Sequence, residues 1–204
     1  MSLTMPGGIF EAINNSFLTG DVTINITSDL SGEDGVVALN EFATGFTVLI
    51  KPSGAPRTIT GSGATGIIRL NGADNVTIDG STNGSTVTGV VGGNPAIREL
   101  TIENTDASTT SSVIILDAGP NGAQSNTIKN LNVHGSSPDQ TGYLISMGGA
   151  TGGTQGAANN FNTIENCSLR RAIIGIWFSG DDINEFNQIR GNDITGTGSE
   201  RIRR

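Results

Sequence analysis

The chain holds one cysteine, Cys167, in 204 residues, so no internal disulfide can form and the fold must rest on packing. Aromatic residues make up only 4%, which leaves the core to branched aliphatics. Basic residues are also scarce: 11 Lys and Arg stand against 19 Asp and Glu, giving a net charge of −8 and a pI near 4.5. That balance argues against nucleic acid and anionic membrane surfaces as partners, since both need a cationic face. No apolar run is long enough to span a bilayer, which argues against membrane insertion. Met1-Ser2-Leu3 reads as a cloning remnant with no apolar leader behind it. What is abundant is glycine, 30 residues, together with Asn, Thr and Ser. These supply turns, and the 35% hydrophobic content is enough for one core in a single domain.

A short phrase, Ile-x-Asn or Ile-x-Gly, recurs along the chain. It reads Ile78-Asp79-Gly80, Ile102-Glu103-Asn104, Ile128-Lys129-Asn130, Ile164-Glu165-Asn166 and Ile189-Arg190-Gly191. The intervals are 102−78 = 24, 128−102 = 26, 164−128 = 36 and 189−164 = 25. In the last three copies an apolar residue follows five places on, at Val133, Leu169 and Ile194, and an asparagine precedes by two, at Asn126, Asn162 and Asn187. A period of this length marks a unit that stacks on copies of itself to bury its apolar face. Apolar and polar residues alternate within each copy, the strand period of two. Each copy then breaks at Asn or Gly, which tolerate a left-handed backbone. The expectation is an all-β fold, a right-handed, single-stranded parallel β-helix with rungs about 4.8 Å apart. Ile78, Ile102, Ile128, Ile164 and Ile189 should form one buried column, with Asn104, Asn130 and Asn166 laddered at the neighbouring corner.

A second set of strand-like runs precedes the first: Ile67-Ile68-Arg69-Leu70, Val113-Ile114-Ile115-Leu116, Tyr143-Leu144-Ile145-Ser146-Met147 and Ile174-Gly175-Ile176-Trp177-Phe178. Residues 22–27, 46–51 and 57–60 are further strands, so residues 22–62 form less regular N-terminal rungs and 67–196 regular ones. Pro6, Gly7 and Gly8 introduce the one convincing helix, within residues 7–18, with Ile9, Phe10, Ile13 and Phe17 on one face. A stacked fold needs its ends covered, and this short helix is read as the N-terminal cap. No comparable cap follows Ile194, only a basic tail, Arg201-Ile202-Arg203-Arg204. The chain is therefore expected to be a piece of a longer coil that associates as a homo-oligomer through its C-terminal end.

The line Gly8-Ile9-Phe10-Glu11-Ala12-Ile13-Asn14, the strand at residues 22–27 and the run Ile68-Arg69-Leu70-Asn71-Gly72-Ala73-Asp74-Asn75-Val76-Thr77-Ile78-Asp79-Gly80 resemble the start of large secreted β-helix proteins of gliding and marine bacteria. The repeats after residue 97 resemble those of the pectin-lyase-like superfamily. This resemblance covers nearly the whole chain and implies a parallel β-helix in an extracellular or cell-surface setting. It does not select a chemistry, since that superfamily spans lyases, hydrolases, epimerases, adhesins and stalks.

Several motifs invite a chemical reading. Gly61-Ser62-Gly63-Ala64-Thr65-Gly66 matches a dinucleotide fingerprint, but a strand follows where a helix is required, so it reads as a glycine corner. Asp181 and Asp182 are the candidate catalytic pair, placed as hydrolases of the resembled group hold their carboxylates. Asn104-Thr105-Asp106 and Arg201-Ile202-Arg203 echo other motifs of that group, yet 181−106 = 75 is three rungs rather than one, and His134 precedes the Asp pair instead of following it. A lyase would need acidic Ca²⁺ ligands and an arginine base. Asp117, Asp181, Asp182 and Glu185 could bind such an ion, but Arg170-Arg171 falls on another face. Cys167 has no activating base nearby in sequence. The 36-residue interval carries an insertion rich in small residues, 148–161, between the loops 117–125 and 179–186, and the three should emerge from one edge, as binding loops of stacked repeats do. The reading is a non-catalytic scaffold without a required cofactor. It presents loops bearing Asp117, Asp181, Asp182 and Glu185 to a polysaccharide or cell-surface glycan. The alternative is a polysaccharide-degrading lyase or hydrolase.

Overall fold

Short runs of alternating apolar and polar residues become strands, and each is stopped by a residue that accepts a left-handed corner. The computed structural model describes residues 1–43, 45–84, 90–180, 184–195 and 200–203, the last group by backbone alone. The first coil is β1 (Val22–Ile26), β2 (Leu30–Glu33) and β3 (Leu39–Asn40). The second is β4 (Val48–Pro52), β5 (Arg57–Gly61) and β6 (Gly66–Asn71), and the third β7 (Val76–Asp79), β8 (Leu100–Asn104) and β9 (Ser112–Asp117). Then follow β10 (Thr127–Lys129), β11 (Leu131–His134) and β12 (Tyr143–Gly148). The fifth coil is β13 (Thr163–Glu165), β14 (Ser168–Arg170) and β15 (Ile174–Phe178), and the sixth β16 (Gln188–Arg190), β17 (Asp193–Ile194) and β18 (Glu200–Arg203). Every third strand joins the same sheet, so three parallel six-stranded sheets stack in the manner of a β-helix.

The first sheet aligns Ile24, Ile50, Ile78, Ile128, Ile164 and Ile189. All but Ile189 are at most 5% exposed. Ile102 is not among them. It stands in the second sheet, in the column Ile59, Ile102, Val133, Leu169 and Ile194. The 24-residue step from Ile78 to Ile102 is therefore a passage between sheets within one coil, and the true first-sheet step is 128−78 = 50 residues. The excess is an insertion, residues 80–99, hidden because Ile102-Glu103-Asn104 imitates the repeat phrase. The corner residues confirm the distinction. Asn130, Asn166 and Gly191 are left-handed, with φ of 59°, 51° and 60°, and Asn166 Nδ2 donates to Asn130 Oδ1 at 2.7 Å. Asn104 belongs to a different corner, where its Nδ2 donates to the carbonyls of Gly63 and Ser112.

From Ile50 onward, the residue after each first-sheet isoleucine gives a column of alternating sign: Lys51, Asp79, Lys129, Glu165, Arg190. Lys129 Nζ lies 3.2 Å from Asp79 Oδ2, and Arg190 Nε 2.7 Å from Glu165 Oε2.

The helix is α1 (Ile9–Asn14), shorter than the periodicity suggests. Phe10 and Ile13 enter the core, while Phe17 lies beyond the helix and is 97% exposed. Asn14 explains the early stop, because its side chain is spent on the edge strand β3: Nδ2 donates to Ala38 O and Oδ1 accepts from Asn40 N. Residues 2–4 are held by Glu33, whose carboxylate accepts from Leu3 N, Thr4 N, Thr4 Oγ1 and Ser2 Oγ at 2.7–3.0 Å.

Candidate binding edge

The connections that follow β6, β9, β12 and β15 lead from the third sheet back to the first, along one edge of the stack. Each ends in a left-handed residue just before the next first-sheet strand. Asn75, Ser125, Phe161 and Phe186 occupy that position, with φ between 57° and 59°. Asparagine suits it; phenylalanine does not, and a left-handed L-residue costs roughly 1–2 kcal/mol. Phe161 and Phe186 are nevertheless 53% and 68% exposed, and their rings stack 5.0 Å apart and 4° from parallel. Two of the seven phenylalanines of an aromatic-poor chain thus sit side by side at its surface.

Asparagine ladders fix the backbone beneath them. Asn126 N donates to Asn162 Oδ1 and Asn162 N to Asn187 Oδ1, both at 2.8 Å. Each amide group reaches down in turn, Asn162 Nδ2 to Ala123 O and Asn187 Nδ2 to Asn159 O. A parallel set runs beside it, with Ala123 N on Asn159 Oδ1, Asn159 N on Asn184 Oδ1 and Glu185 N on Asn160 Oδ1. The asparagines that precede the repeat isoleucine by two therefore pin successive loops to one another through satisfied amides, buried at Asn126 and Asn162 and half-buried at Asn187.

The insertion 148–161 does not project. Its glycines fold onto the outer face of the third sheet, where a Cβ on Gly152 would stand 2.5 Å from the Tyr143 ring and one on Gly153 2.2 Å from the Tyr143 hydroxyl. Tyr143 packs edge-on against Trp177, with centroids 5.9 Å apart. Only the last residues of the insertion reach the edge.

The carboxylates singled out from sequence are not brought together by what is described. Asp117, 6% exposed, ends β9 and its Oδ1 accepts from Gly119 N. Glu185 is exposed two coils further on. Asp181 and Asp182 lie outside the described residues. Among the described residues no three His, Cys, Asp or Glu side chains converge as metal ligands would. Asp106 faces another corner and accepts from Ser108 N. Arg170 and Arg171 are committed on the second sheet, to Asp193 and to Glu103. His134 lies between Glu103 and Arg170 in register, and burial, reinforced by Arg171, pushes its pKa down. Cys167 is fully buried, and loss of solvent pushes its thiol up to about 12, the opposite of the lowered pKa that activates a thiol. The Gly61–Gly66 run joins β5 to β6, and a Cβ on Gly61 would fall 1.8 Å from Glu33 O. Close backbone approach therefore accounts for that glycine, and no helix follows to hold a phosphate.

Sequence reasoning missed the phenylalanine pair. The signal was present as Asn160-Phe161-Asn162 and Glu185-Phe186-Asn187, each with Phe three places before the repeat isoleucine. No helix among the described residues is long and apolar enough to cross a membrane. No family model, curated protein or solved structure matches the chain.

Proposed function

We propose that the chain is a non-catalytic, rigid module of the cell surface or extracellular space whose third-to-first-sheet edge binds carbohydrate or mediates adhesion. The observation that carries this reading is the exposed Phe161–Phe186 stack, held on a strained but tightly hydrogen-bonded backbone. Strain at exposed aromatics has no packing benefit large enough to retain it, and such positions gather at functional sites. Exposed apolar patches rimmed by polar groups mark interaction surfaces, and here the rim is amide and carboxylate. The reading requires no cofactor, and the Ca²⁺ arm of the test below addresses an ion at Asp117, Asp181, Asp182 and Glu185. The winding is taken as right-handed, the hand of nearly all parallel crossovers. In this reading α1 is the N-terminal cap, supported by the burial of Phe10 and Ile13 and by the hold of Asn14 on β3. The resemblance of the repeats to the pectin-lyase-like superfamily supports the extracellular setting.

The test is a glycan array run beside reducing-sugar and unsaturated-product assays on pectate, polygalacturonate and alginate, with and without Ca²⁺. The expected result is retention on glycan without product. Product that disappears in Asp181→Asn or Asp182→Asn would replace this reading with a hydrolase.

A further inference from the structure

Ser112 is fully buried, yet its hydroxyl finds no hydrogen-bond partner among the described residues. Buried hydroxyls are almost always paired, so this one calls for a reason. In the third sheet Ser112 stands in register with Tyr143, and Ser146 with Ile115 and Trp177. These rows face out of the coil, since Val113, Ile114, Leu144 and Ile145 between them belong to the core. Ser146 is nevertheless 0% exposed. The insertion covers both serines. A Cβ on Gly152 would fall 2.6 Å from Ser112 Oγ, so that hydroxyl points at the backbone above it. Ser146 Oγ accepts from Gly153 N at 3.4 Å.

The covering segment, residues 149–156, is bonded mainly to itself. Gly149 N donates to Thr154 O at 2.9 Å, Thr154 N to Thr151 O at 3.2 Å and Thr154 Oγ1 to Thr151 O at 2.6 Å. Among the described residues, the long Gly153–Ser146 bond is its one hydrogen bond to the strands beneath. Ala150, Thr151, Thr154 and Gln155 are exposed, so it buries little apolar surface of its own. Few buried contacts and weak bonding to the body mark a segment that opens at low cost.

Resting on the reading that the chain binds glycans, we infer that residues 149–156 are a lid over a second subsite, one for a neutral sugar ring. Ser112, Ser146, Tyr143 and Trp177 form it. Tyr143 and Trp177 are half-buried and packed edge-on, and their rings offer apolar surface to the C–H bonds of a sugar. Each serine hydroxyl both donates and accepts, as sugar hydroxyls do. With the lid down, Ser112 Oγ is unpaired and Ser146 Oγ holds one long bond; a sugar satisfies both. That difference between the two states is what favours the open one when ligand is present. The four residues carry no charge, and Arg69, beyond Ile115 in the row, reaches Gly35 O, so the platform favours a neutral sugar over a uronate. The same insertion ends at Phe161, which joins this subsite to the phenylalanine stack.

Trp177 is the chain's only tryptophan, so its emission reports on this subsite and not on the phenylalanine stack. The experiment titrates the intact chain with neutral oligosaccharides of glucose, mannose and galactose, with oligogalacturonate as the charged arm. A saturable change in Trp177 emission is expected with a neutral sugar and none with oligogalacturonate. Amide exchange across residues 149–156 should speed up in the complex, because the lid is displaced. Ser112→Ala should weaken binding by about fivefold, as loss of one hydrogen bond does, without lowering the Tm. A hydroxyl with a purely structural role would lower the Tm and leave affinity alone, which would overturn the subsite. An equal response to oligogalacturonate would overturn the neutral class, and exchange that fails to speed up would overturn the lid. Glycan binding with no change at Trp177 would overturn the subsite and leave the edge reading intact. Silence across a glycan array would remove both.

Discussion

Ile128 lies in the middle of the first-sheet column, 1% exposed, between Ile78 and Ile164. An aspartate there has no cation or donor within the stack, and an unpaired buried charge costs far more than a domain's net stability. Ile128→Asp should therefore give no folded protein by circular dichroism; a soluble, cooperatively melting variant would refute the register. The phenylalanine corners allow a subtler test. Phe186→Asn loses a stacking contact worth about 0.5–1.5 kcal/mol but relieves left-handed strain of similar size, so its Tm should stay within about 4 °C of the parent. Phe186→Val loses the stack and keeps the strain, since a β-branched residue is poorly placed at positive φ. Its Tm should fall below that of Phe186→Asn, and the opposite order would show that the backbone there is unstrained.

At the scale of elements, residues 90–99 of the insertion form a strap. They precede β8 of the third coil and reach the corner of the sixth, where Val90 O approaches Gly191. Arg98 anchors it, with Nε donating to Asn166 O at 2.8 Å and Nη2 to Gly92 O at 2.6 Å, while Asn94 N donates to Asn166 Oδ1. Charged hydrogen bonds of this kind are worth about 1.5–3 kcal/mol each. Arg98→Ala should free the strap, so limited proteolysis near exposed Val90 and Val91 should accelerate about tenfold or more while the coil itself stays resistant. Unchanged cleavage would mean that other contacts hold the strap. The N-terminal segment offers a pH test. Burial pushes the Glu33 carboxyl up, but the hydrogen bonds from Thr4, Leu3 and Ser2 outweigh this and hold it below its ordinary 4.5. Its contribution is therefore present above pH 4.5 and lost as pH falls through the lower folded value. The Tm difference between parent and Glu33→Gln should shrink as pH drops below 4.5; a difference that grows would reverse the sign of the linkage. Four strands of the third sheet, β6, β9, β12 and β15, could be read from sequence because they are long apolar runs. Neither β2 nor β3 could, since Leu30-Ser31-Gly32-Glu33 holds one apolar residue and Leu39-Asn40 is too short for a period. The strap was masked by the counterfeit phrase at Ile102. The phenylalanine pair went unseen because periodicity reports what faces the core, and these rings face out.

For the whole molecule, β16, β17 and β18 are each the last strand of a sheet among the described residues. Strands with unpaired edges template association, and a closed two-fold pair is the commonest outcome. Light scattering at high micromolar concentration should report a dimer, and a strict monomer would refute the association. The stack also faces a problem of counting, because its coils are alike in shape and nearly alike in their isoleucines. The column Lys51, Asp79, Lys129, Glu165, Arg190 addresses it. A chain that skipped one coil while winding would set Lys51 against Lys129, Asp79 against Glu165 or Lys129 against Arg190. Each such like-charge pair is destabilising by about 0.2–1 kcal/mol instead of stabilising by a similar amount. Skipping two coils restores opposite signs and escapes the penalty. Alternating charge thus works as a parity check on winding, one that rejects odd omissions and is blind to even ones.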